Sequence, residues 1–71
     1  MNKNVENYMR KQVSKLEVKL RDKKDFIKRV VGLDWENDKD KWEYVNPLHE
    51  EIEDLITIRK WYVNQLSEIK N

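Results

Sequence analysis

Seven positions between Leu48 and Ile69 fall in unbroken steps of four and three: Leu48, Ile52, Leu55, Arg59, Tyr62, Leu66 and Ile69. On a helix of 3.6 residues per turn such positions form one narrow stripe, the pattern of a helix seated against another helix. All but Arg59 are apolar. A second stripe precedes it, mostly in the same steps: Val5, Met9, Val13, Leu16, Leu20, Ile27, Val30 and Val31. Two amphipathic helices on a short chain predict a single all-α domain, an antiparallel two-helix hairpin.

Helix 1 is expected over about 4–31. Asn2 or Asn4 can cap its start, and Gly32 follows the last periodic residue as a left-handed stop would. Glu6 with Arg10, Glu17 with Arg21 and Asp25 with Arg29 are spaced to pair across one helical turn. Helix 2 is expected over about 47–70, opened by Asn46 as cap and Pro47 as first residue. Glu50, Glu51, Glu53 and Asp54 then lie near the positive end of its dipole. Residues 32–46 form the connector, where the period changes to two: Leu33 and Trp35 on one arm, Trp42 and Tyr44 on the other. A short β-hairpin, a single helical turn from Asp38 to Val45, or an ordered loop pinned by its tryptophans all satisfy that stretch.

Composition then argues for a partner. Charged residues make up 41% of the 71 and apolar ones 38%, so one copy has little to bury. Chains this small are usually held by disulfides, a structural metal or self-association, and this one has no cysteine and a single histidine. Projected at ~100° per residue, each apolar arc spans roughly 160°, wider than one neighbouring helix covers. The expected remedy is a homodimer or higher oligomer, a four-helix bundle with coiled-coil packing. Its seam would use Val13, Leu16, Leu20 and Ile27 with Ile52, Leu55, Arg59, Tyr62 and Leu66. Lys23 and Lys24 interrupt the first stripe. Arg59 in the second needs a carboxylate nearby, because an unpaired buried charge costs several kcal/mol. With Val31 facing Pro47, Glu17 is the candidate; the alternative is that Arg59 reaches out from the seam edge.

The near-neutral total conceals an uneven distribution. Residues 1–31 carry 10 basic and 4 acidic side chains, whereas 34–54 carry 9 acidic and 2 basic. The plainest consequence is mutual neutralisation within the fold or across a dimer. A sharper one is an acidic, aromatic knob for a protein partner, built from Asp34, Glu36, Asp38 and Asp40 with Trp35, Trp42 and Tyr44. Trp61 projects away from the second stripe and is a further candidate contact, tryptophan being enriched at binding hot spots. The basic residues Arg10, Lys11, Arg21, Lys28 and Arg29 offer an alternative, a nucleic-acid face, although Asp22 and Asp25 share it. A small ligand such as a nucleotide held between subunits is a third reading.

Catalysis has few parts to draw on. One His, no Cys, Ser14, Ser67 and Thr57 leave almost no candidates for a nucleophile, base and orienting group, and a lone glycine rules out a Gly-rich phosphate loop. His49 reads as a surface polar residue in the first turn of helix 2, and Glu50, Glu53 and Asp54 as weak metal ligands. No enzyme activity, cofactor or metal is expected. Apolar runs reach only three residues, at Trp61-Tyr62-Val63, and the first residues lack an apolar leader, so neither a membrane span nor secretion is expected, and the chain reads as cytoplasmic. Lys, Asn, Ile, Tyr, Met and Phe make up 29 of 71 residues and alanine is absent, the signature of an AT-rich genome such as that of a low-GC bacterium, its plasmid or its phage. The architecture resembles that of small bacterial regulators and phage-encoded host inhibitors, without a diagnostic residue. An oligomeric inhibitor or regulator that occludes a surface of a host or phage macromolecule is the function expected.

Overall fold

The computed structural model describes residues 3–70. Two helices, α1 over Lys3–Val31 and α2 over Asp38–Lys70, pack along their length as an antiparallel hairpin. The hairpin is 55 Å long and 15 by 13 Å across. Its radius of gyration of 16.5 Å exceeds the ~11 Å of a globular chain this size. Both flanks of the helix pair therefore face solvent. Among the described residues no helix is long and apolar enough to cross a membrane.

The largest departure from the sequence expectation is the start of α2. Asn46 and Pro47 do not open the helix; it begins nine residues earlier, at Asp38, and Pro47 lies inside it. The connector shrinks to residues 32–37, and the β-hairpin is absent from the described residues. Of the expected alternatives, the helical turn at Asp38–Val45 forms, continuous with the helix behind it. Its cap is Asn37. The Asp40 backbone N–H donates to Asn37 Oδ1 at 2.8 Å, and Asn37 Nδ2 donates to Asp40 Oδ2 at 3.1 Å. The first bond is the N-cap half of a capping box; the second joins the two side chains and holds the Asn37 amide in its capping orientation. Asp38 and Asp40 in the first turn also face the positive end of the dipole.

A proline inside a helix removes one hydrogen bond and crowds the preceding turn, at about 3 kcal/mol. Packing offsets it. Val45 is fully buried, and Leu48 and Trp35 close over the same cluster of Leu20, Ile27, Val30 and Ile52. Burying one Val or Leu side chain contributes about 1.5–3 kcal/mol, so Val45 and its neighbours exceed the proline penalty. The freed carbonyl belongs to Glu43, an exposed residue, where water can satisfy it.

The end of α1 also differs from expectation. Gly32 does not adopt a positive φ. Its N–H instead donates to the Lys28 carbonyl at 3.2 Å, one more helical bond. Trp35 folds back, and its indole Nε1 donates to the Val30 carbonyl at 2.8 Å, which also accepts the Leu33 N–H at 3.1 Å. Two donors on one carbonyl satisfy a group that a helix end leaves open. At the other end, Asn2 lies outside the described residues and Asn4 lies within α1.

Candidate functional site

The seam shows which polar residues occupy apolar positions. On α1 a buried and half-buried stripe runs Glu6, Met9, Val13, Leu16, Leu20, Lys23, Ile27 and Val30 in steps of three and four, with Gln12 and Val31 half-buried beside it. On α2 the same alternation reaches back past the exposed Pro47, from Leu48 to Val45 and Lys41. Leu20, Ile27, Ile52 and Leu55 pack together in the core between α1 and α2 of a single chain, and Val13, Leu16, Arg59, Tyr62 and Leu66 are likewise buried or half-buried.

Arg59 meets Glu17 across the seam, Nη2 to Oε1 at 2.8 Å. The two side chains remain 40% and 53% exposed, so the arginine stem lies in the seam while its head group sits at the rim. An ion pair this wet is worth about 0–1 kcal/mol. It aligns the helices more than it stabilises them. Lys23 does the same from α1, its Nζ 2.6 Å from Glu51 Oε2. The two pairs mark opposite flanks, since they belong to separate grooves. Of the three pairs expected along α1, Glu6–Arg10 forms at 2.8 Å. Glu17 turns to Arg59 instead, Arg21 lies 3.8 Å from Asp22, and Asp25 and Arg29 form no ion pair.

On the flank marked by Glu17 and Arg59, a groove of about 590 Å³ runs between the helices. Arg21, Lys24, Lys28 and Arg59 bring four cations to it, and Glu17 and Asp25 bring two carboxylates over a floor of Leu20 and Ile56. Of the expected nucleic-acid face, only Arg21 and Lys28 line this groove. Arg10 is held by Glu6, while Lys11 and Arg29 lie outside it. The opposite flank has a smaller, apolar groove of about 320 Å³ lined by Phe26, Ile27 and Leu48 beside Asp22 and Lys23.

The acidic and aromatic residues of the former connector separate into two groups. Trp35 is half-buried as the C-terminal cap of α1, with Tyr44 5.9 Å away between ring centroids. Asp38 and Asp40 belong to the first turn of α2, Asp38 3.5 Å from Lys41 Nζ. Trp42 is 43% exposed under the Lys41 ammonium, 5.0 Å from its ring, and Tyr44 is 51% exposed. Asp34 and Glu36 are exposed in the loop beside them. Trp61 stands far from this group, 53% exposed on the outer side of α2, its ring edge-on to Tyr62 at 5.0 Å. His49 is exposed and lies well inside α2 rather than in its first turn, a consequence of the earlier helix start. Glu50, Glu53 and Asp54 are likewise mid-helix, and no three His, Cys, Asp or Glu among the described residues are placed to share a metal ion.

Sequence reasoning could have located the true start of α2. Lys41 and Val45 continue the four-three alternation past Pro47, and Asn37 precedes Asp40 at the capping-box spacing. The proline and the period-two aromatics were the stronger local signals, and both were overridden by packing. Compared with known proteins, the chain matches no family model, no curated protein and no solved structure.

Proposed function

We propose that this chain is a small, non-enzymatic protein-protein interaction protein, phage- or plasmid-encoded, that assembles as a homodimer or higher oligomer. It acts in the cytoplasm as an inhibitor or regulator, occluding one surface of a host or phage macromolecule. One observation carries the reading: eleven large apolar side chains lie exposed, from Val63 at 39% to Leu33 at 62%, against six apolar residues that are buried. Scattered surface hydrophobics are ordinary, but here they line both flanks of a layer one hairpin thick, and stable domains bury such faces against a second layer. Trp42, Tyr44 and Trp61 are the residue types that dominate interface energetics. Sedimentation equilibrium at micromolar concentration tests the assembly, and a monomer there would refute it. Capture from the source cell with wild-type and Trp42→Ala/Tyr44→Ala chains tests the docking end. A stoichiometric protein retained by the first and lost by the second is expected; equal retention would remove the aromatic end from the reading.

A second reading, nucleic-acid binding through α1, draws on the four cations gathered at the groove beside Glu17 and Arg59. Phosphate contacts make affinity fall steeply with salt. Failure to bind duplex or single strands at low salt would end it.

A further inference from the structure

The two flanks of the hairpin are chemically unlike, and one of them is complementary to itself. Residues seven apart share a helix face, so the groove residues fix which exposed side chains belong together. Lys19, Lys23, Glu51 and Asp54 line a common groove. Steps of seven from Lys19 reach Val5 and Phe26, from Glu51 Tyr44 and Ile58, from Asp54 Trp61, and from Asp22 Tyr8. Six of the eleven exposed apolar side chains therefore share this flank, three from each helix. The opposite flank takes Trp42, Ile56 and Val63, all from α2, while α1 contributes the charged Arg10, Glu17, Arg21, Lys24 and Lys28 there.

Charge on the apolar flank is sorted by helix. α1 presents Lys15, Lys19, Lys23 and Arg29 with Asp22 as its single acid; α2 presents Asp40, Glu51, Asp54 and Glu68 and no cation. A two-fold axis parallel to the hairpin sets α1 of each copy against α2 of the other, cations over carboxylates. Because that operation preserves height along the hairpin, and Lys19 already lies level with Glu51 and Asp54, Lys19 of one copy meets those two carboxylates on the second. A two-fold across the hairpin would instead set α1 on α1 and α2 on α2, with like charges at contact distance, where repulsion is least screened. A flank 55 Å long and 15 Å wide has a footprint of about 800 Å², the area a standard interface takes from each partner.

We propose that two copies of this chain pair through the flank bearing Tyr8, Phe26, Ile58 and Trp61, about a two-fold axis parallel to the helices, α1 of each opposed to α2 of the other. The proposal rests on the self-association reading above and adds its face and direction. Both connectors then lie at one end of a four-helix bundle, so the acidic, aromatic end is presented in duplicate on one side. A partner with two basic sites would gain from that bivalence without any new contact.

The chain has no cysteine, so a label can be placed at will. A nitroxide on Leu33→Cys, 62% exposed in the connector, should give an interspin distance well under half of the 55 Å hairpin length. Trp61→Lys should weaken the dimer by ~30-fold or more, the scale of an interfacial tryptophan hot spot, with helical circular dichroism kept. Val63→Lys on the opposite flank should leave the dimer unchanged. A wild-type monomer would overturn both this proposal and the self-association reading. A dimer broken by Val63→Lys and untouched by Trp61→Lys would overturn the choice of flank. Labels near 55 Å apart would overturn the direction alone and leave self-association standing.

Discussion

The two ends of this hairpin are built from the same repeat yet differ in kind. Toward the connector, Leu20, Ile27, Val30, Val45 and Ile52 form a buried cluster with Trp35, Leu48 and Leu55 packed against it. Toward the open end, Leu16 beside the Glu17–Arg59 pair is the last buried residue described; Met9, Val13, Tyr62, Leu66 and Ile69 keep the four-three spacing but stay half-exposed. What separates the ends is a third piece of chain. The connector folds Trp35 back over the seam at one end, and no described residue does so at the other. Two helices alone give a line of contact; a core requires something across it. The open end is thus where a second copy has most to contribute.

This contrast can be broken most directly by deleting core volume at each end. Ile27→Ala should cost about 2–5 kcal/mol in denaturant unfolding, the usual range for a buried aliphatic, whereas Leu66→Ala, half-exposed in the monomer, should cost under about 2 by the same area argument. Equal losses in the monomeric Trp61→Lys background would dissolve the distinction between the ends. Asn37→Ala should cost about 1 kcal/mol by removing the α2 cap. Amide exchange of residues 38–46 would rise with it if the connector end is held from Asn37, and would stay unchanged if Asn46 and Pro47 were the operative start. Trp35→Phe keeps most of the ring but deletes the bond to the Val30 carbonyl, for about 1 kcal/mol. A loss near zero would mean that Leu33 alone satisfies that carbonyl. Smallest of all, a double-mutant cycle on Glu17→Gln and Arg59→Gln should return under about 1 kcal/mol, reduced further by salt.

Much of the architecture was legible because it depends on periodicity. Both helices follow from the four-three spacing, their antiparallel pairing from the short connector, and the partnership of Arg59 with Glu17 from the register that sets Val31 opposite Pro47. The start of α2 did not follow, because two local rules pointed the wrong way. Asn46-Pro47 is a good helix opening in isolation, and Leu33, Trp35, Trp42 and Tyr44 alternate as strands do. Each rule is worth a few kcal/mol at most, and burial of Val45 with the cap at Asn37 outweighed them. The candidate site was legible in part. Trp61, Trp42 and Tyr44 stand on the surface as their types suggested, but Trp35 and Asp40 are committed to the ends of the two helices. Lys23, read as an interruption of the stripe, occupies a seam position and reaches Glu51.

By itself, then, the amino-acid order determined two amphipathic helices, the line along which they meet and an uneven distribution of charge between them, since all three depend on spacing and side-chain type. Only the tertiary structure decided where the second helix begins, which aromatic residues are spent on closing the loop end and which flank collects the exposed ones. Those outcomes depend on competition between a proline's local penalty and the burial gained by distant residues, and such sums are made in three dimensions.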